Sequence, residues 1–267
     1  MTMDESEVRQ CWEANAEAWT ALSRNGYDRC RDLFNTPTFL RILPEIRELS
    51  GLDVGCGEGH NTRLLAQRGA RMTGLDIAPT FLRHAREAEK AEPLGIAYTE
   101  GSARVLPFGD AQFDFVTAFM SLQDMPHQAE ALAEAFRVLK PGGFLQFSIT
   151  HPCFQTPKWD WLRDENGRKT ALIVGDYFRD ERVRVDEWIF GAAPRELKER
   201  YAKFKTPYFE HTLSGWLNMV LKAGFALEEF AEPTPDDDTL RRHPGEYDAR
   251  LIAYFLIVRG RKPAVTP

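Results

Sequence analysis

Three glycines on alternate positions, Gly55, Gly57 and Gly59, constrain this chain more than any other feature. They stand in LDVGCGEGHNTRLLAQRGARMTGLDIAP, residues 52–79. Leu52, Asp53 and Val54 read as the end of a buried strand. A helical pattern follows, with Leu64, Leu65 and Ala66 on one face, and it stops at Gly69, a good C-cap residue. A second strand, 71–75, runs into Asp76. The segment opens a βαβ unit with a tight turn at the carboxyl end of its first strand. A side chain in such a turn would hold a ligand off the backbone, and the turn needs dihedrals that glycine adopts at little cost. A carboxylate at the tip of the second strand can accept both hydroxyls of a ribose. The unit therefore suits a nucleoside with something attached.

The dinucleotide fingerprint G-x-G-x-x-G places its last glycine where this chain has His60. The match is to G-x-G-x-G, preceded by the acid Asp53. That pattern resembles motif I of the class I S-adenosylmethionine-dependent methyltransferases. The resemblance implies a loop that wraps the amino-acid part and sulfur of S-adenosylmethionine, with S-adenosylhomocysteine as product. It also implies cofactor contacts from Asp53, Gly55, Cys56, Gly57, Gly59, His60, Asp76 and Ile77, and further on from Ser102, Ala103 and Met120. Family members commonly carry an acid where Ser102 stands, bonded to the adenine amino group. Ser102 departs from this; its hydroxyl offers a weaker bond, with the Ala103 backbone supplying the rest.

FDFVTAF, residues 113–119, is apolar on both faces, as a central parallel strand is. It closes on MSLQDMP, residues 120–126, which corresponds to the fourth family motif beside the methyl donor. No Asn/Asp-Pro-Pro-Tyr is present, which argues against DNA and protein-amide acceptors. Leu139-Lys140-Pro141-Gly142-Gly143 before a strand at 144–150 is a further feature of the small-molecule, type 11-like branch. The resemblance covers residues 52–150.

Outside it, the pattern places an N-terminal helical cap at 1–45, the cofactor-binding core at 46–150, a lid or substrate insertion at 151–211, and completion of the core sheet at 212–267. The expected fold is α/β: a Rossmann-like, seven-stranded, mostly parallel sheet with an antiparallel last strand and helices on both faces. Residues 4–23 and 26–43 carry apolar side chains at helical spacing. In the second of these, Tyr27 and Arg31 are one turn apart and would face the cofactor's carboxylate. The insertion is dense in aromatics, and Trp159, Tyr177, Trp188 and Tyr208 are expected to wall a substrate pocket above the carboxyl edge of the sheet. Residues 170–191 read as a hairpin turning at Asp180-Glu181. Residues 232–248, rich in proline and acid, read as a mobile solvated loop, and 250–259 as the last strand. Asp124 is read as a cap for the helix near Gln128, with orientation of a substrate as the alternative.

A hydroxyl acceptor needs a base, and neutral histidine titrates in the working range. His151, directly after the fifth strand, and His211, at the end of the insertion, are the candidate catalytic residues. No metal is expected: Cys11, Cys30, Cys56 and Cys153 are scattered without zinc spacing, and read as reduced thiols of a cytoplasmic protein. The acidic start is no signal peptide, and no run of eighteen apolar residues suggests a membrane span. A net charge of −6 argues against a sequence-independent grip on nucleic acid. The expected partner is a small-molecule acceptor methylated on O or N, with a homodimer through the lid left open. The alternatives are an RNA-directed methyltransferase, a non-catalytic binder of the same cofactor, a nicotinamide dehydrogenase and an aminopropyltransferase. His60 and the lack of a Tyr-x-x-x-Lys pair weigh against the dehydrogenase, and few acids near the fourth strand against the aminopropyltransferase.

Overall fold

The computed structural model describes residues 3–178 and 183–264; the turn expected at Asp180-Glu181 lies outside the described residues. The chain opens with α1 (Glu5–Arg24), started by a capping box in which Asp4 and Glu7 bond each other's backbone N–H at 2.9 and 2.8 Å. A π-helical turn, Arg31–Asn35, leads into α2 (Thr36–Ile42). Then come β1 (Ser50–Val54), α3 (His60–Gln67), β2 (Arg71–Asp76), α4 (Pro79–Ala91), β3 (Ala97–Glu100) and β4 (Phe113–Phe119). A 3-10 turn, Leu122–Asp124, precedes α5 (Gln128–Val138) and β5 (Leu139–Thr150). The insertion holds β6 (Lys158–Arg163), β7 (Lys169–Gly175), β8 (Val183–Trp188), α6 (Arg195–Arg200) and β9 (Phe204–Phe209). The chain ends with α7 (Leu213–Lys222), β10 (Ala226–Ala231), α8 (Asp237–Arg242), a 3-10 turn at Pro244–Arg250, and β11 (Phe255–Arg261).

Seven strands form one sheet in the order β10-β11-β5-β4-β1-β2-β3. Strand β11 is antiparallel to both neighbours; the pairs among β1 to β5 are parallel. This is the expected sheet. Its central strands are buried on both faces because helices cover each side. Leu52, Val116 and Phe147 meet Leu132 of α5 and Trp216 and Val220 of α7. On the other face Leu65 of α3 packs with Met72, Phe115 and Phe144.

Two expectations fail outside the core. Strand β7 does not pair with β8: it is antiparallel to β6, and β8 is antiparallel to β9. Period-two patterning identifies strands but not partners, and here Asn166-Gly167, with Gly167 at φ +77°, turns β6 into β7. The acidic stretch 232–248 is also not a loop in solvent. Asp236 caps α8 through the Thr239 N–H at 2.7 Å, and Asp248 is buried against Lys169. The 3-10 turn that follows is why the last strand begins only at Phe255.

The β8–β9 hairpin leans on α1. Asn15 bonds both backbone groups of Lys205, at 2.9 and 3.0 Å. The Trp19 ring lies 5.4, 5.0 and 4.9 Å from the rings of Trp188, Phe190 and Phe204.

Candidate active site

A cavity of about 990 Å³ opens at the carboxyl ends of β1 to β5, roofed by α1 and the insertion. Open α/β sheets place their ligands at this edge. Cavities for one drug-sized ligand run from roughly 300 to 1,000 Å³, so this one has room for a cofactor and a small acceptor together.

The glycine turn forms the floor on the β1–β2 side. Gly55 and Cys56 N–H groups donate to the Leu75 carbonyl at 2.7 and 3.0 Å, which pins the turn to β2. Gly57 has φ +55°, and a Cβ built there would meet nothing within 4 Å; the backbone faces open cavity. Gly59, at φ +87°, is the N-cap of α3, and a Cβ there would come within 2.5 Å of the Tyr98 hydroxyl. That packing explains why the third glycine falls one residue earlier than in the dinucleotide pattern.

Asp53 is 1% exposed and ties this floor together. Its carboxylate accepts from Thr62 of α3 at 2.6 Å and Thr117 of β4 at 2.9 Å, and burial raises its pKa against those two bonds. Asp76 accepts from the N–H groups of Gly57 and Ala78 at 2.8 and 2.9 Å. Burial pushes it up to about 6, with the backbone donors holding it down. Two oxygens with four lone-pair sites leave acceptor capacity on the cavity side.

Ser102 is not among the residues lining the cavity. Its hydroxyl donates to Glu5 of α1 at 2.5 Å and accepts from the Arg104 N–H at 3.1 Å. Glu5 does line the cavity, beside Gly101, Ala103 and Arg104 and near the apolar walls of Val8, Trp12 and Phe81. The acid absent at position 102 is thus present in space, delivered by the N-terminal helix. Sequence reasoning missed Glu5 because no local signal marks a helix residue 97 positions away as a neighbour.

Tyr27, Arg31, Cys56, His60, Ile77, Ala103 and Met120 all line the cavity. Arg31 is anchored by Asp32 at 2.7 Å and the Ser23 carbonyl at 3.3 Å. Asp28, also in the wall, is raised to about 6 by burial, against the pull of Arg31. Burial, then the charge of Arg31, lowers His60. Cys56 is buried, and burial raises its thiol far above its ordinary pKa. Met120 has φ +55°, an unfavourable backbone for a methionine, at the end of β4.

On the β4–β5 side the walls are Gln123, Asp124, Thr150 and Phe119, facing Trp159, Arg184, Trp188 and Tyr208 of the insertion. Thr150 and Tyr208 share a hydrogen bond of 2.5 Å. Asp124 does not cap α5: the N-cap is His127, with no side-chain bond, and Asp124 lines the cavity instead. Burial raises its carboxyl well above the ordinary range; the Gln123 amide lowers it and Asp186 raises it.

The two histidines lie elsewhere. His151 is 4% exposed and outside the cavity lining. Its Nδ1 accepts from the Cys153 N–H at 3.2 Å, and its Nε2 meets Glu232 at 2.9 Å, so both ring nitrogens are engaged. Burial lowers its pKa. His211 meets Gln128 at 3.3 Å, packs edge-on against Trp216, and borders a separate small pocket with Tyr177. Tyr177 is likewise outside the main cavity, its hydroxyl accepting from the Leu213 N–H at 2.8 Å. Among the described residues no group of three or more His, Cys, Asp or Glu could hold a metal ion, and no helix is long and apolar enough to cross a membrane.

The chain is similar in sequence and fold to known proteins. Residues 52–147 match the Methyltransf_11 family, described as "Methyltransferase domain". The malonyl-acyl-carrier-protein O-methyltransferase of Pectobacterium atrosepticum is 34% identical over 124 residues, covering 46% of this chain and 47% of that protein. The demethylmenaquinone methyltransferase of Listeria welshimeri is 32% identical over 164 residues, covering 57% of this chain and 69% of that protein. The chain spans about half the length, or less, of the first curated relatives it matches, 47% and 36%. A crystal structure of an S-adenosylmethionine-dependent methyltransferase from Mesorhizobium loti is 26% identical with a TM-score of 0.68, covering 84% of this chain and 96% of that one. Glycine turn, strand-tip carboxyl, strand order and these relatives agree: the chain belongs to the class I S-adenosylmethionine-dependent methyltransferases.

Proposed function

We propose that this protein transfers the methyl group of S-adenosylmethionine to a small-molecule acceptor held in the same cavity, with S-adenosylhomocysteine as product. One observation carries the reading: a single cavity joins the glycine turn and Asp76 to an aromatic chamber at the ends of β4 and β5. The acceptors in the relatives' names, a malonyl group and a demethylmenaquinone, support a small acceptor.

The residues fit the cofactor. Asp76 would accept the ribose hydroxyls, and the bare backbone at Gly57 gives room for close approach. Glu5, held by Ser102, would accept from the adenine amino group, with Trp12, Phe81 and Ile77 as apolar walls for the ring. Arg31 and Tyr27 would bind the carboxylate. Glu58 Oε1 is buried without a partner beside the glycine turn, an acceptor suited to an ammonium donor. When bound, the sulfonium supplies an electrophilic methyl carbon. The protein's part is to align the acceptor with that carbon and to exclude water; orientation alone is worth several kcal/mol. The strained Met120 turn and the Gln123 bonds to the Met120 carbonyl and Thr150 N–H, both 3.1 Å, fix the wall where the acceptor must lie.

Thermal unfolding with S-adenosylmethionine, S-adenosylhomocysteine and NADH, each separately, tests this. A ligand at a hundred times its dissociation constant stabilises by about 2.7 kcal/mol. Stabilisation by the first two and not by NADH is expected; stabilisation by none of them would remove the reading.

A further inference from the structure

On the β4–β5 side of the cavity one carboxyl group stands without a cation. Asp124 ends the 3-10 turn after Met120 and lines the cavity, next in sequence to Gln123. Among the described residues no Lys, Arg or His forms an ion pair with it. The charge that acts on it most is another acid, Asp186. Asp186 is itself compensated: Arg184 Nε donates to its two oxygens at 2.9 and 3.0 Å. The same guanidinium pairs with Glu210 and lies 4.3 Å over the Tyr208 ring. Arg184 is therefore already engaged on three sides.

The cavity that Asp124 lines also carries the aromatic rings of Phe119, Trp159, Trp188 and Tyr208 in its walls. Elsewhere in the cavity wall Asn35, 1% exposed, accepts from Ser148 at 3.0 Å while its Nδ2 has no partner; that donor suits an acceptor atom of a bound ligand rather than its ammonium group.

A desolvated carboxyl with an acid nearby and no cation gains from a positive ligand and is opposed to a negative one. Aromatic faces attract cations as well. On the reading that this cavity is the methyl-transfer site, we propose that the acceptor is an amine that enters as its ammonium ion, and that Asp124 takes the proton the nitrogen must lose. One N–H bond breaks and its proton passes to a carboxylate oxygen of Asp124. The freed lone pair forms the new N–C bond as the methyl carbon's bond to sulfur breaks, the bonding electrons staying on sulfur. The methylated ammonium and the thioether leave, and Asp124 returns its proton to water. A carboxylate acceptor would need no base and would be repelled by Asp124, so this chain departs from relatives named for acyl substrates.

The test is calorimetric titration of the protein saturated with S-adenosylhomocysteine, using ring-matched pairs: tryptamine against indole-3-propionic acid, and phenethylamine against hydrocinnamic acid. Each amine is expected to bind roughly tenfold or more tightly than its acid, because an ammonium beside Asp124 favours its ionised form and donates to it, which a carboxylate cannot do. Asp124→Asn should erase that preference with S-adenosylhomocysteine affinity unchanged, and Asp124→Glu should retain it. With S-adenosylmethionine in place, Asp124→Asn should slow amine methylation on the order of a hundredfold, the scale of a lost general base. Acids binding as well as amines, neither member of any pair binding, or an amine preference that survives Asp124→Asn would overturn the proposal. Failure of the wild-type protein to bind S-adenosylhomocysteine would instead remove the methyltransferase reading beneath it.

Discussion

Ser102 donates its hydroxyl to Glu5 at 2.5 Å, joining the loop after β3 to the first turn of α1. The carboxylate that results borders the cofactor side of the cavity, where the adenine amine is expected. Hydrogen bonds to a charged group contribute about 1.5–3 kcal/mol. Glu5→Ala should therefore weaken S-adenosylmethionine binding by roughly tenfold or more, and Ser102→Ala by less, because the carboxylate remains. Calorimetry decides it: full affinity in Glu5→Ala would mean that the adenine lies elsewhere.

Asp76 gives a dependence on pH. Its folded pKa of about 6 lies above the ordinary carboxyl value of 3.8, so the folded, ligand-free protein holds its proton more tightly than the unfolded chain. Stability from this group is present at low pH and is lost as pH rises from roughly 4 through 6. Ribose hydroxyls donate to the carboxylate, so cofactor affinity should rise over the same window and level off above it. Asp28, also near 6, titrates alongside. The Asp76 share is the difference between wild type and Asp76→Asn, and the variant should show the flatter profile with a dissociation constant raised roughly tenfold at neutral pH.

His151 is expected to be structural. Removing it strands the Cys153 N–H and the Glu232 contact, so His151→Ala should cost about 1–3 kcal/mol in denaturant unfolding. Cofactor affinity should not move. A stable His151→Ala protein that has lost methyl transfer would restore this histidine to the chemistry.

Trp19 joins α1 to the β8–β9 hairpin through three aromatic contacts. Trp19→Ala should destabilise the protein by about 3–5 kcal/mol, the range for deleting a large aromatic from a packed cluster. Trp19→Phe should recover most of it. A loss under 1 kcal/mol, measured by the same unfolding titration, would show that the hairpin does not depend on this ring.

The core was legible in the sequence because its signals are local. The glycine turn, the helix that follows and Asp76 fall within one short stretch, and backbone sterics fix them whatever surrounds them. What the sequence hid depends on contacts between distant segments. Glu5 reaches Ser102 only because α1 crosses the sheet edge. Asp124 looked like a cap because it precedes a helix, yet the 3-10 turn carries it into the cavity wall. His151 looked catalytic from its place after a strand, but its bonds to the Cys153 N–H and to Glu232, just past β10, hold it outside the cavity lining. The pairing of β8 with β9 rests on Trp188 and Phe204 meeting Trp19, a contact that no alternation of residue types announces.

Helix α1 has 20 residues, hence a length of about 30 Å. Glu5 stands at one end, by the adenine side, and Trp19 near the other, in the cluster that seats Trp188. A stiff rod held at both ends transmits displacement along its axis. Both residues line the same cavity, so one helix supplies wall at its two ends, and a substitution that tilts α1 would disturb both ends together.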